Sequence, residues 1–389
     1  MSRYLCNVCG TDLLRPVYKS QFVNSITSLC NVVKGTTAVY FCYDCTHLQT
    51  TEVDNIDNYY DKDYQLLVES EEEDQIYCIR DGEKVFRCDH QVVTLADLLN
   101  IPEGAKVLDY GCAKGTTLKK LVELRSDITP FLFDVSDMYL PFWDKFVDEQ
   151  NWAIYSVDNR WTELMDVVTS FFSLEHVTSP KEMLDNIRTL LKDGGMLYCV
   201  VPDVMQNPAD FVVLDHVNHF TRTSICRLLA DSGFEVEDIN TEDHASAMIV
   251  IARKAAENGS MDGVLVSDDQ CLATSEKVSA IADYWVGLAS RIQAFESTQP
   301  ASAQISIYGA GFYGTYIASC LADQERIKFF LDRDPYRHGR KLFGKTIIDP
   351  ALMPESIDTV FVGLNPAIAR QNIEMITSWE GRKIEFFYL

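Results

Sequence analysis

Two stretches of this chain follow the same local pattern: an apolar run, a turn of glycine and other small residues, a helix, and a second apolar run ending in an acid. The first begins Lys106-Val107-Leu108-Asp109-Tyr110, passes through Gly111-Cys112-Ala113-Lys114-Gly115, and predicts a helix over Thr116 to Leu124. Its next strand, Pro130 to Phe133, ends in Asp134. The second runs from Gln304 to Tyr308, turns at Gly309-Ala310-Gly311-Phe312-Tyr313-Gly314, predicts a helix over Thr315 to Leu321, and continues to the strand Lys328 to Leu331, which ends in Asp332. A strand that passes to a helix through a tight small-residue turn opens a doubly wound α/β sheet, where a ligand can approach the backbone at the switch point. The chain is therefore expected to build such a layer twice. Its 389 residues, at roughly 150 per domain, allow that and leave room for a smaller part.

The smaller part is read at the amino end. Cys6-Asn7-Val8-Cys9 and Cys42-Tyr43-Asp44-Cys45 are two C-x-x-C knuckles, each a turn that can aim two thiolates at one point about 2.3 Å from a shared zinc ion. Cys6, Cys9, Cys42 and Cys45 would close a tetrahedron with no position left for water, so the expected role is structural. Cys30 and His47 stand outside the paired knuckles. Reduced cysteines without metal are the bland alternative; a thioredoxin-like pair is disfavoured because no βαβ pattern surrounds either knuckle. Tyr60 and Tyr64 follow, suited either to cover a site or to pack the module, and then the acidic run Glu69 to Asp74, read as a solvated helix face. The expected division is 1–75 for the zinc module and tyrosine-rich linker, 76–254 for the first α/β domain, and 255–389 for a helical linker and the second.

Charge narrows the partners. With 58 acidic against 34 basic residues the formal net charge is −24, which disfavours nucleic acid and anionic membrane surfaces. No apolar run approaches the eighteen or so residues of a membrane span, and the amino terminus lacks a signal pattern, so a cytoplasmic protein is expected. One segment breaks the acidic background: Arg333-Asp334-Pro335-Tyr336-Arg337-His338-Gly339-Arg340-Lys341. Arg333, Arg337, Arg340 and Lys341 fit a small anion such as a diphosphate, with a solvated turn as the plain alternative.

The spacing D-x-G-x-A-x-G over Asp109 to Gly115 resembles the first motif of class I S-adenosylmethionine-dependent methyltransferases, with Ala113 where a glycine is more usual. That resemblance assigns cofactor contacts to Asp109, Gly111, Ala113, Gly115, Asp134, Val135 and Ser173. Asp166 to Val177 matches the "D-x-V...LEH" segment of many such enzymes, and Leu190 to Leu197 the helix end, glycine turn and fifth strand that follow. Methyl transfer needs an aligned, electron-rich acceptor and, for a hydroxyl or a C–H acid, a base. His216, next to Asp215 and close to His219, suits that role near neutral pH; His176 and His244 are further candidates.

Cysteine pairs, a methyltransferase domain and a small Rossmann-like domain, in that order, resemble the bacterial deoxysugar C-methyltransferases that act on nucleotide-linked 4-keto sugars. The family segment Y-H-E-H-L-S-Y-F falls on Val213 to Phe220, keeping His216, shortening the acid to Asp215 and replacing the tyrosine by Val213. The family segment H-G-G-S-L-R falls on His244 to Ile249, keeping only the histidine. The resemblance implies a structural zinc, S-adenosylmethionine in the middle domain, a nucleotide sugar as small-molecule substrate, and His216 removing the proton beside the ketone. His244, Tyr60 or Tyr64 would then stabilise the oxyanion. The replaced tyrosine leaves an O- or N-methyltransferase as the alternative. A third reading is a bifunctional protein binding NAD through Gly309, Gly311, Gly314 and Asp332.

Overall fold

The computed structural model describes residues 4–21, 24–51, 70–80, 82–256 and 266–389. Tyr60 and Tyr64 lie outside the described residues. The chain divides into two compact units, one of Met1–Val17, Ala38–Phe211 and Asp215–Val278, the other of Tyr18–Thr37, Val212–Leu214 and Ser279–Leu389.

In the first unit two short strands, β1 (Ala38–Phe41) and β2 (Leu48–Thr50), flank the second knuckle, and a hairpin of β3 (Ile76–Arg80) and β4 (Glu83–Phe86) leads into α1 (Arg87–Leu98). The alternation that follows is β5 (Lys106–Tyr110), α2 (Thr116–Leu124), β6 (Thr129–Asp134), β7 (Trp152–Ile154), β8 (Met165–Phe171), α3 (Pro180–Leu190) and β9 (Leu191–Pro202). It closes with the two-residue strand β10 (Asn218–His219), α4 (Arg222–Asp231), β11 (Phe234–Asn240) and β12 (Ala247–Lys254).

These strands form a seven-stranded sheet in the order β7-β6-β5-β8-β9-β12-β11, with β12 antiparallel to its neighbours β9 and β11. Order reverses between β5 and β8, which places the switch-point crevice at their carboxyl ends. Both faces of the sheet are covered, which is why its central strands read as nearly unbroken apolar runs. Leu184 and Ile187 of α3 and Ile225 and Leu228 of α4 cover one face, and Leu95 of α1 and Leu118 and Leu121 of α2 the other. The glycine turn expected before the fifth strand falls inside β9, as a register irregularity between the pairs Met165↔Leu191 and Val167↔Met196, with Gly194 at φ 72°.

The acidic run differs from its reading as a solvated helix face. Its described part forms no helix, and Glu73 and Asp74 are buried. The reason is Lys114 in the first glycine turn, whose Nζ donates to the carbonyls of Ser70 (2.9 Å), Glu71 (3.1 Å) and Glu73 (2.7 Å). A buried ammonium needs its three donors met, and this backbone meets them.

The cysteine knuckles pack into the same core as the sheet. β2 pairs antiparallel with β10, setting Gln49 opposite Asn218 and Leu48 opposite His219. The buried Asn218 amide joins this region to the loop after β8. Its Oδ1 accepts from Asn7 Nδ2 (2.9 Å) and faces His47 Nε2 (3.2 Å), while its Nδ2 donates to the carbonyls of Leu174 (3.2 Å) and Val177 (2.7 Å).

The second unit holds a six-stranded sheet in the order β15-β16-β14-β13-β17-β18, from strands β13 (Ile305–Tyr308), β14 (Ile327–Leu331), β15 (Lys341–Leu342), β16 (Lys345–Ile348), β17 (Thr359–Val362) and β18 (Glu385–Tyr388). All neighbours are parallel except β15 with β16. A long helix, α5 (Asp268–Thr298), precedes it, and α6 (Phe312–Cys320) and α7 (Pro366–Glu374) follow β13 and β17. Trp285 of α5 stacks on Tyr313 and meets Tyr316 edge-on, filling the space beside α6.

Replacing Asn218 with alanine removes a hydrogen-bond partner from the buried His47 ring and Leu174 carbonyl and from the half-buried Asn7 and Val177. The expected loss is about 2–4 kcal/mol in the first unit, read as an earlier unfolding transition with the second unit's transition unmoved. Coincident loss of both transitions, or no loss, would contradict this account.

Candidate functional site

The first glycine turn is held from the next strand. Ala113, at φ 47°, donates its N–H to Asp134 Oδ2 (2.8 Å), and Ser136 donates to Asp134 Oδ1 (3.2 Å). Asp109 is fully buried at the end of β5 and accepts from Thr169 Oγ1 (3.0 Å). Gly111 and Gly115 both lie in the left-handed region that the turn requires, and the Gly111 carbonyl accepts from Ser173 Oγ (3.2 Å) at the end of β8. Val135, beside Asp134, is exposed and offers an apolar surface at this edge. Burial pushes the Asp109 carboxyl up to about 7 and that of Asp134 up to about 6. Negative charge at this edge is therefore poorly compensated, which suits a cationic ligand carrying hydroxyl groups.

From Ser173 the chain makes one turn, Leu174–His176, and enters a cluster of ionisable groups. His176 donates from Nδ1 to the Asp215 carbonyl (3.0 Å), and its ring meets that of His216 edge-on at 4.7 Å. Polar atoms of Glu175, His176 and His216 all lie within 4.8 Å of one another. The acid bonded to His216 is Asp210, whose Oδ1 lies 2.5 Å from Nδ1, whereas the Asp215 carboxylate lies 4.0 Å from His176. Asp210 Oδ2 also accepts from His219 Nδ1 (2.9 Å). The expected pairing of Asp215 with His216 is thus replaced by a carboxylate six residues upstream. Nothing in the pattern of Asp210-Phe211-Val212 singles that residue out.

Burial opposes a charge on His216, but the hydrogen bond and charge of Asp210 outweigh it and raise the ring to about 9. Burial and the neighbouring His216 lower His176 to about 4. Glu175, enclosed with its Oε2 unpartnered among the described residues, is pushed up to about 7 by burial. Three adjacent groups thus hold different protonation states near neutral pH, the usual mark of proton-handling chemistry.

His244 lies apart, between β11 and β12. Its ring contacts Tyr77 (5.0 Å), His90 (5.3 Å) and Phe172 (5.4 Å), and burial together with Arg87 lowers it to about 4. Its Nδ1 faces the Ala245 carbonyl at 3.2 Å, so the neutral ring carries its proton there. Nε2 then presents a lone pair, and His244 in this state cannot donate to an oxyanion.

In the second unit the acid again holds the glycine turn: Ala310 N–H donates to Asp332 Oδ2 (2.9 Å). A Cβ at Gly314 would come within 1.8 Å of the Gly309 carbonyl, so this glycine is required by helix–strand packing alone. Arg333 is engaged by Asn372, through the carbonyl at 2.7 Å, and Arg337 by the Ala310 carbonyl at 2.7 Å. Arg340 is half-buried beside this turn's strand pair, and Lys341 is exposed on β15.

The four knuckle cysteines bring their sulfurs within 4.8 Å of one another, with Cys6–Cys45 at 3.5 Å and Cys9–Cys42 at 3.4 Å. A tetrahedral zinc with bonds of about 2.3 Å requires sulfur separations of about 3.8 Å, so the set fits the metal. The knuckles are built alike. Gly10 N–H donates to the Cys6 carbonyl and Thr46 N–H to the Cys42 carbonyl, at 2.9 and 2.8 Å. The residue after each second cysteine turns left-handed, Gly10 at φ 74° and Thr46 at φ 60°. Thr46 tolerates this strain while its Oγ1 bonds Thr221 (2.8 Å) at the amino end of α4.

A family model described as a methyltransferase domain matches residues 85–239. The chain is 24% identical over 192 residues to the C-methyltransferase NovU of Streptomyces niveus, covering 46% of this chain and 45% of that protein. It is 24% identical over 160 residues to a ubiquinone biosynthesis O-methyltransferase of Xanthomonas axonopodis pv. citri, covering 36% of this chain and 66% of that one. The aligned part spans less than half the length of the first of these relatives. A solved S-adenosylmethionine-dependent methyltransferase from Mesorhizobium loti aligns at 15% identity over 42% of this chain and 97% of its own, with a TM-score of 0.36.

Two outcomes are expected of this site. Cys45→Ser should reduce bound zinc, measured by elemental analysis, from one ion per chain to near none and lower the unfolding temperature of the first unit; full zinc retention would contradict the four-sulfur site. A cofactor site that needs both Asp109 and Asp134 ionised predicts that affinity for S-adenosylmethionine falls about twentyfold between about pH 8 and pH 6, since burial sets the two carboxyls at about 7 and about 6. S-adenosylhomocysteine, which lacks the sulfonium charge, should lose less, and calorimetric titration compares the two.

Proposed function

Residues 85–239 form an S-adenosylmethionine-dependent methyltransferase domain, and we propose that it methylates a nucleotide-linked sugar at the carbon beside a ketone, with His216 as the base. The observation that carries this reading is the lock on His216. Asp210 holds the proton of the ring on Nδ1, and Nε2, without a partner among the described residues, keeps its lone pair when the ring is neutral. Only about a tenth of the side chain reaches solvent, 11%, so the imidazole works in a low-dielectric setting where a proton can be drawn from carbon.

The glycine turn, Asp109 and Asp134 would hold the cofactor at the switch point, with Val135 against the adenine and Asp134 on the ribose. Bound there, S-adenosylmethionine supplies a methyl carbon on a positively charged sulfur, the electrophile for an in-line displacement. His216 Nε2 takes the proton beside the ketone, and the electron pair of that C–H bond becomes the nucleophile. The C-methyltransferase name of the Streptomyces relative supports carbon as the acceptor. The O-methyltransferase name of the Xanthomonas relative favours a hydroxyl acceptor instead, with His216 removing the hydroxyl proton.

Incubating the enzyme and S-adenosylmethionine with a panel of nucleotide sugars should give one product heavier by a single methyl group. In heavy water, deuterium should enter the sugar beside the ketone. His216→Ala should slow turnover by about 10²–10⁴-fold with cofactor affinity kept. Methylation without deuterium exchange would establish the hydroxyl reading, and no product with any nucleotide sugar would reject both.

A further inference from the structure

We propose that Asp210, and not Asp215, is the positioning residue of His216, and that Asp210 is itself set by His219 and Thr50, so that strand β2 fixes the reacting ring. This rests on the methyltransferase reading above. The chain of contacts is Thr50 Oγ1 to His219 Nε2 (2.7 Å), His219 Nδ1 to Asp210 Oδ2 (2.9 Å), and Asp210 Oδ1 to His216 Nδ1 (2.5 Å). Thr50, His219 and Asp210 are fully buried, at 0%, 1% and 1% exposure.

A carboxylate bound at one oxygen can swing about its Cβ–Cγ bond; one bound at both cannot. Each oxygen of Asp210 is committed to a different imidazole, so its plane is set by two rings. The two ends of His219 are likewise committed, one to Asp210 and the other to a threonine whose strand pairs with β10. The direction of His216 Nδ1–H is therefore dictated from β2, which begins three residues after Cys45. Thr50 and His219 are 169 positions apart in sequence and meet only through the β2–β10 ladder.

Asp215 contributes differently. Its carbonyl accepts from His176, and its carboxylate stands nearest that ring. The charged and titratable groups facing His216 are Asp210, Glu175, Asp215 and His176. His219 acts on Asp210, which also lies close enough to Asp203 to raise that carboxyl. Of the groups facing His216, only Asp210 makes a hydrogen bond to it among the described residues. The hydrogen bond and charge of Asp210 therefore favour the protonated ring, and a sulfonium charge bound nearby would disfavour it.

The test is the tautomer and titration of His216, read by long-range proton–nitrogen spectra of the full chain with labelled histidines; the sequence has 7, few enough to assign by substitution. In the wild type, Nδ1 should carry the proton and the midpoint should lie well above about 6.5, the free imidazole value. Asp210→Asn should lower the midpoint by at least one pH unit, and Asp215→Asn should leave it within about half a unit. Thr50→Val should shift the His219 Nε2 resonance and move the His216 midpoint by a smaller step, at unchanged zinc content. It also serves if Asp210→Asn does not fold. Adding S-adenosylmethionine as probe should lower the wild-type midpoint. An Asp210→Asn midpoint equal to wild type, an Asp215→Asn shift as large as that expected for Asp210→Asn, or a Thr50→Val protein with both histidines unmoved would overturn the proposal. Failure of the nucleotide-sugar panel would reject the substrate reading and leave these spectra unaffected.

Discussion

A carboxylate taken out of water costs several kcal/mol unless charged or hydrogen-bonding partners replace the solvent on both oxygens. Asp210 meets that condition with two imidazoles, and much of the site follows. The rings must converge, so the irregular segment between β9 and α4 folds back on itself. His219 must then satisfy its second nitrogen, which it does on Thr50. Asn218, its neighbour on β10, turns the other way and ties the first and second knuckle regions to the loop carrying His176. One buried negative charge thus organises contacts that range from β2 to the end of β10.

The two glycine turns show how a ligand-binding pattern also serves the fold. In both, the acid ending the second strand accepts from the N–H of a turn alanine, Asp134 from Ala113 and Asp332 from Ala310. The following amide pattern repeats as well, with Ser136 and Asp334 donating to the other oxygen. A carboxylate placed there shapes the turn before it meets any ligand, and its spare lone pairs remain for hydroxyl groups. The turns differ in what surrounds them. Burial leaves Asp109 and Asp134 poorly compensated in the first unit, whereas in the second Arg337 reaches across the turn to the Ala310 carbonyl. The same pattern therefore presents a cation-seeking edge in one sheet and a partly cationic one in the other.

Much of this was legible in the sequence because it is local. The strand over Lys106–Tyr110 and the helix over Thr116–Leu124 begin and end where hydrophobic periodicity and small residues place them, and four cysteines in two C-x-x-C pairs state their own geometry. The place of the acidic run before β3 is not legible in its composition: a lysine about forty residues away uses its carbonyls, and Lys119 and Lys145 pair with its Glu71 carboxylate.

By itself the sequence determined the two α/β sheets, the cysteine cluster and the glycine turns with their acids, since each is specified by residues within one or two turns of chain. Only the tertiary structure decided which acid serves His216, which tautomer His244 adopts and how Thr50 reaches His219. Those depend on pairings between segments up to 169 residues apart, and on burial, which turns ordinary carboxyls and imidazoles into groups of distinct protonation. No periodicity records such pairings, because the driving force is the satisfaction of buried polar atoms after the sheet has formed.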